Sequence, residues 1–314
     1  MTKTMSSAVT ESQADIYQQA RDQLSSIEDF IRFSASQFHQ ADLYFGHGTD
    51  NAWDEAVAIV LQMLDLPNDY PATMLGATLL DDEKAHLVSA IKERVEHRKP
   101  LAYITNKAYY CGLEFYIDER VLVPRSPIAE LIQNDFYPWL EADNPRILDL
   151  CCGSGCIGMA TAAYIEDAEV VVSDISEEAL TVAEINNERL GLYPKVQIVQ
   201  SDLFENLQGE QFDLIVSNPP YVDAEDLAEM PHEYQHEPEI GLGSGVDGLD
   251  LTRKILQQAA NHLTEQGCLI VEVGNSWPAL EEAFPLIEFT WLEFEHGGDG
   301  VFLLTKQQLI EAFN

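Results

Sequence analysis

Positive charge is scarce in this chain: 17 lysines and arginines stand against 54 aspartates and glutamates, a formal net charge of −37. A surface of that sign repels a phosphate backbone, which argues against general DNA or RNA binding. It favours encounter with a basic protein. One stretch runs the other way, since eight of the 17 basic residues lie between Lys84 and Arg125. Cysteine is also sparse. The five present (Cys111, Cys151, Cys152, Cys156 and Cys268) are an odd number with three crowded into one loop. That argues against an extracellular disulfide framework and for reduced thiols. No run of 18 apolar residues occurs, and residues 1–23 lack the apolar stretch of a signal peptide. The expectation is a cytoplasmic protein with no membrane segment.

What is present is ample for a core. Of the 314 residues, 46% are apolar, enough for two domains or one large domain with an extension. Residues 1–14 read as a disordered tail. Leu24, Ile27, Ile31 and Phe38 recur at helical spacing, a second helix is expected from Trp53 to Leu66, and a third from Asp81 to His97. Residues 15–100 therefore read as a helical domain. Tyr109, Cys111, Leu113, Phe115 and Ile117 alternate, with Val121 and Val123 beyond a polar turn, so 101–125 reads as a β-hairpin linker. From 126 to 314 strands and helices alternate. Strands are expected at Arg146–Leu150, Glu169–Ser173, Val196–Gln200, Phe212–Ser217, Cys268–Val273, Thr290–Glu295 and Val301–Leu304. Only five residues separate the last two, too few for a crossover helix, so they must pair antiparallel. The fold class is an α/β, Rossmann-like sheet of seven strands with an antiparallel last strand.

The first strand closes on Asp149-Leu150-Cys151-Cys152-Gly153-Ser154-Gly155. Gly153, Gly155 and Gly158 match the G-x-G-x-x-G dinucleotide fingerprint, and Asp174 stands where a ribose-binding acid belongs. Asp149 speaks against a dinucleotide, because a carboxylate at the mouth of the loop would repel a pyrophosphate. It suits a ligand with no phosphate and a cationic amino-acid end, S-adenosyl-L-methionine. Gly153 and Gly155 would admit its methionine part, Asp174 would accept the ribose hydroxyls, and Asp202 with Leu203 would face the adenine. Asp149, Asp174, Asp202 and Asn218 end four successive strands on one sheet edge, the edge where open α/β sheets bind ligands.

Asn218-Pro219-Pro220-Tyr221 follows the fourth strand. Two prolines stiffen the chain and donate no N–H, leaving the Pro219 carbonyl beside the Asn218 side-chain oxygen as two rigid acceptors. Such a pair suits a planar –NH2 group, and Tyr221 can cover its face. With these motifs, and with the run Glu237-Pro238 to Gly245-Val246-Asp247-Gly248-Leu249, residues 24–306 resemble the HemK-type class I methyltransferases. That resemblance implies transfer of a methyl group from S-adenosylmethionine to a glutamine side-chain amide. It implies Asn218, Pro219 and Tyr221 as catalytic residues, Pro220 as a further substrate contact, and Asn218 as shared with the cofactor. The stretches 44–51, 122–127 and 297–302 are similar to the branch acting on large-subunit ribosomal protein three, a basic partner. Cys151 departs from the family loop, where glycine is usual.

Other readings stay open at this level. They are the sister activity on peptide-chain release factors, adenine-N6 methylation of DNA, and a non-catalytic ribosome assembly factor. The acidity and the absence of a basic, aromatic-rich recognition region weigh against direct DNA contact. His232-Glu233-Tyr234-Gln235-His236 spells a zinc-protease signature, but Pro231 and Pro238 bracket it in a polar loop, so no metal is expected.

Overall fold

The computed structural model describes residues 16–313, so the expected tail over 1–14 lies outside the described residues. The chain divides into two units between Lys107 and Ala108. The first is helical: α1 (16–23), α2 (Ile27–Gln40), α3 (Ala52–Met63), α4 (Asp81–Glu96) and α5 (Leu101–Thr105). Ser26 and Asp29 form a reciprocal capping box at the start of α2, and the Asn51 side chain caps α3 by accepting from the amides of Trp53 and Asp54. Phe30, Phe38, Ile59, Val60, Leu87 and Ile91, at helical spacings, fill a core of their own. Within it Arg94 and Glu55 pair at 2.5 Å, and Arg94 also donates to the Tyr44 carbonyl at 2.8 Å. Thr49 donates to the second Glu55 oxygen at 2.8 Å, so the buried pair fixes both ends of the 44–50 loop.

The second unit opens with strands β1 (Ala108–Tyr110) and β2 (Leu113–Phe115). The expected hairpin is here, but its turn is not between Ile117 and Val121. It lies at Cys111-Gly112, both residues left-handed (φ 49° and 72°) as a two-residue type I′ turn requires. A two-residue turn reverses odd–even parity: Ala108 and Tyr110 share a face with Phe115 and Leu113, while Tyr109 pairs with Glu114 and is exposed, so the odd-numbered alternation expected from Tyr109 does not hold on the first strand. Val121 and Val123 are buried coil.

The main sheet comprises β3 (Arg146–Leu150), β4 (Glu169–Asp174), β5 (Val196–Gln200), β6 (Phe212–Ser217), β7 (Leu263–Glu272), β8 (Thr290–Trp291) and β9 (Val301–Thr305). Their order is β5-β4-β3-β6-β7-β9-β8, with the first five parallel and the last two antiparallel, as the short final connection required. Helix α6 (Ile128–Gln133) precedes them, α7 (Cys156–Tyr164), α8 (Glu177–Leu190), α9 (Ala224–Glu229), α10 (Asp250–Gln258) and α11 (Trp277–Ala283) run between them, and α12 (Lys306–Phe313) follows. Ser176 caps α8 by accepting from the Ala179 amide, as expected from sequence. Strand β7 starts earlier than expected, because Leu263 pairs with Phe212 before a register shift brings Cys268 opposite Leu214. Strand β8 is shorter than the expected Thr290–Glu295. The chain winds outward from β3 to β5 and then returns to β6 on the other side of β3. The β3/β6 crevice is therefore the topological switch point.

Candidate active site

Asn218 leaves β6 at this switch point, where Asp149 pairs with Val216 and Leu150 with Ser217. The Ser217 hydroxyl donates to the Leu150 carbonyl at 2.6 Å, locking the two strand ends together. Asn218 is half-buried, while Pro219 and Pro220 are buried. No other described residue hydrogen-bonds the Asn218 side chain or the Pro219 carbonyl. The prolines account for the second of these, since they fix φ and bring no donor. Tyr221 follows with its hydroxyl donating to Glu272 Oε1 at 3.1 Å, and the Ser276 hydroxyl donates to its carbonyl at 2.8 Å.

The chain then folds back. Val222 donates to the Leu242 carbonyl (2.9 Å), and Ser244 donates to that of Val222 (3.0 Å). This return requires Gly248, which has φ +74°; a Cβ there would lie 2.2 Å from both the Ser276 hydroxyl and the Tyr221 carbonyl oxygen. Gly248→Ala should cost about 1–3 kcal/mol of stability by overpacking. It should also lower turnover, because the Tyr221 carbonyl among the atoms pushed aside belongs to the tetrapeptide. Denaturant unfolding and a methyl-transfer assay check both effects, and an unchanged enzyme would contradict this placement.

The glycine loop is built around carboxylates. Asp174 receives the Gly153 amide on Oδ2 and the Ser176 amide on Oδ1, each at 2.9 Å, which orients it while each oxygen keeps a lone pair. Burial raises its pKa, against the lowering effect of those amides. Asp149 is 1% exposed and accepts the Gly158 amide at 2.7 Å. Burial pushes its carboxyl up to about 7; the Gly158 bond opposes this and Asp174 adds to it. A folded-state value above the unfolded one means the native state holds the extra proton. The stabilising contribution is full at acid pH and fades as pH rises through about 7. Asp149→Asn should therefore flatten the decline in stability of the ligand-free protein between about pH 4 and pH 7. Parallel unfolding profiles of variant and parent would contradict this.

Cys151 has φ +61°, which explains why glycine is usual at this position. Leu203 is buried and also left-handed (φ 47°), a strained backbone beside the exposed Asp202. Gly155 precedes α7, and a Cβ built on Gly153 would meet nothing within 4 Å, so the loop presents open space there. An open backbone cradle, an oriented carboxylate for a diol and an uncompensated buried carboxylate for a cation fit S-adenosylmethionine. They do not fit a pyrophosphate.

Three braces were not visible in the sequence. Glu237, buried, accepts from the Val123 amide at 3.0 Å and holds Arg125 in a two-pronged ion pair at 2.5 and 2.8 Å. The segments 122–127 and 237–238 are thus one unit. Asn186 binds both the Tyr116 backbone and the Ser154 carbonyl, steadying the glycine loop from α8. Glu272 meets Tyr221. Each pairing spans 70 or fewer residues for Asn186 and over 100 for Glu237, and no local pattern announces it.

His232–His236 forms a 3₁₀ helix, whose three residues per turn set the two histidines about 120° apart. Burial pushes the Cys156 thiol up to about 12 and raises those of Cys151 and Cys152, which disfavours the thiolate form of the loop cysteines. Among the described residues no helix is long and apolar enough to cross a membrane.

A family model described as the methyltransferase small domain matches residues 136–233. The ribosomal protein uL3 glutamine methyltransferase of Francisella tularensis subsp. tularensis (strain SCHU S4 / Schu 4) is 51% identical over 290 residues, 92% of either chain. The protein of the same name from Neisseria gonorrhoeae (strain ATCC 700825 / FA 1090) is 50% identical over 298 residues. That alignment covers 94% of this chain and 99% of the relative.

Proposed function

The chain belongs to the family of ribosomal protein uL3 glutamine methyltransferases, and from that premise we propose how its own residues carry out the reaction and on which partner. It is an S-adenosylmethionine-dependent methyltransferase acting on a glutamine side-chain amide of a ribosomal protein. The substrate is large-subunit ribosomal protein three, a basic protein that a chain of net charge −37 attracts. The reaction is placed in the cytoplasm. The helical unit is assigned to substrate docking and the part of the second unit from residue 126 onward to catalysis.

One observation carries the residue assignment. Asn218 Oδ1 and the Pro219 carbonyl stand unengaged at the β3/β6 switch point, on the same sheet edge as Asp149, Asp174 and Asp202. S-adenosylmethionine, when bound, supplies an electrophilic methyl group on a sulfonium. Gly153 and Gly155 would admit its amino-acid part, Asp149 would hold its cationic end, Asp174 would accept hydrogen bonds from the ribose hydroxyls, and Asp202 and Leu203 would border the base. A carboxamide nitrogen is a poor nucleophile because its lone pair is delocalised. Asn218 Oδ1 and the Pro219 carbonyl each accept one of its N–H bonds, which fixes its direction and returns electron density to nitrogen. Pro220 keeps the turn rigid, and Tyr221 walls the amide from water. The acceleration comes from positioning and fixed dipoles, so no side chain must first remove a proton, and the proton that the nitrogen sheds after methylation goes to water.

The test uses labelled S-adenosylmethionine with ribosomal protein three, a release factor and an adenine-containing duplex in separate reactions, followed by peptide mass mapping. One added methyl on a glutamine of the ribosomal protein is expected. Label on the release factor or duplex alone would overturn the substrate assignment, and no label anywhere would overturn the activity.

A further inference from the structure

We propose that Glu272 is a positioning residue for the methyl transfer, holding the Tyr221 ring beside the Asn218–Pro219 acceptors through its hydroxyl. The proposal rests on the reading of Tyr221 as a wall of the acceptor site. Glu272 is the last residue of β7. The β6–β7 ladder closes with Ser217 opposite Val271, and the next residue on each strand is Asn218 and Glu272. Glu272 thus stands beside the proposed catalytic asparagine.

Its environment is unusual for an acid. The strand interior before it is apolar (Leu269, Ile270 and Val271, all 0% exposed), and Glu272 itself is only 5% exposed. Burying a carboxylate there is costly unless its oxygens are satisfied. No cation forms an ion pair with it among the described residues. The nearby Arg125 has both prongs on Glu237. Two hydroxyls satisfy Glu272 instead: Ser126 donates to Oε2 at 2.5 Å and Tyr221 to Oε1 at 3.1 Å. A leucine would pack this strand end at less desolvation cost, so packing alone gives no reason for an acid.

The effect on Tyr221 is specific. A phenol has one proton, and here it is committed to Glu272, so the hydroxyl cannot turn toward the acceptor site as a donor. The ring lies against Gly274, where a Cβ would come within 2.5 Å of Cε2. Ser276 holds the carbonyl. Ring, hydroxyl and carbonyl are each pinned, and Glu272 supplies the pin at the far end of the ring. Ser126 accepts the Ile128 amide at 3.2 Å, which anchors the carboxylate in turn at the start of α6.

The test is a double-mutant cycle with wild type, Glu272→Leu, Tyr221→Phe and the double variant, with Glu272→Gln as the conservative substitution. Glu272→Leu and Tyr221→Phe should each lower kcat about tenfold, the scale of one buried hydrogen bond. KM for S-adenosylmethionine should stay within about twofold. The double variant should be no slower than either single variant, because both remove the same bond. Glu272→Gln keeps an oxygen for the Tyr221 hydroxyl and should restore kcat to within about twofold of wild type. Losses that multiply in the double variant, or a Glu272→Gln enzyme as slow as Glu272→Leu, would overturn the proposal.

A crystal structure of Glu272→Leu gives a readout independent of substrate. Tyr221 should leave its place against Gly274, and a ring that stays put overturns the proposal. Should Glu272→Leu not fold, the structure of Tyr221→Phe reads the same release from the other end of the bond. If wild type transfers no methyl to glutamine, the functional reading falls, and these structures still decide whether Glu272 holds Tyr221.

Discussion

A substrate with glutamate in place of the acceptor glutamine should react about 10⁴- to 10⁵-fold more slowly than the parent, the penalty when a site built for hydrogen-bonding groups meets an analogue without them. The two side chains are nearly identical in shape, so steric fit does not separate them. The carboxylate has no N–H to give to Asn218 Oδ1 or the Pro219 carbonyl, and its own oxygens would face those acceptors. Repulsion then adds to the lost bonds, within a surface that is already strongly negative. Initial rates of labelled methyl transfer to matched peptides measure the ratio. A ratio near ten would mean that the site reads shape and that the oxygen pair does not grip the amide.

Asn218→Ala should lower turnover by about two to three powers of ten, the scale for removing one preorganised polar group from an active site. Affinity for S-adenosylmethionine should fall by less than about tenfold, because the oriented Asp174 and the open loop at Gly153 are untouched. Stability should change little, since the Asn218 side chain is only half-buried and engages no other described residue. The combination is diagnostic: large loss in kcat, small change in cofactor binding, and an unfolding midpoint close to wild type. An alanine variant of comparable activity would remove Asn218 from the reaction.

The parallel core of the fold was legible because buried parallel strands are short apolar runs, and four of the five end at or run into a residue that apolar packing does not explain: Asp149, Asp174, Asp202 and Asn218. The antiparallel end was legible from a connection too short to cross over. The hairpin turn at Cys111-Gly112 was misplaced because the apolar residues at odd positions from Tyr109 to Ile117 look like one alternating strand, whereas the turn puts Ala108 and Tyr110, not Tyr109, on the face of Leu113 and Phe115. The early start of β7 was hidden because Thr264, Glu265 and Gln266 are polar and the register shifts between Phe212 and Leu214. Glu237, Asn186 and Glu272 were invisible for another reason. Their meaning lies in partners such as Arg125, Ser154 and Tyr221, and only the folded chain brings these together. The Cys151 departure could be flagged from the loop pattern, but its backbone cause, φ +61°, could not.

The most direct test of the account is a crystal structure of the enzyme with S-adenosylhomocysteine and a glutamine-bearing peptide. The carboxamide nitrogen is expected at hydrogen-bonding distance, about 2.7–3.2 Å, from both Asn218 Oδ1 and the Pro219 carbonyl oxygen, with the Tyr221 ring alongside. A glutamine side chain seated away from that pair would contradict it.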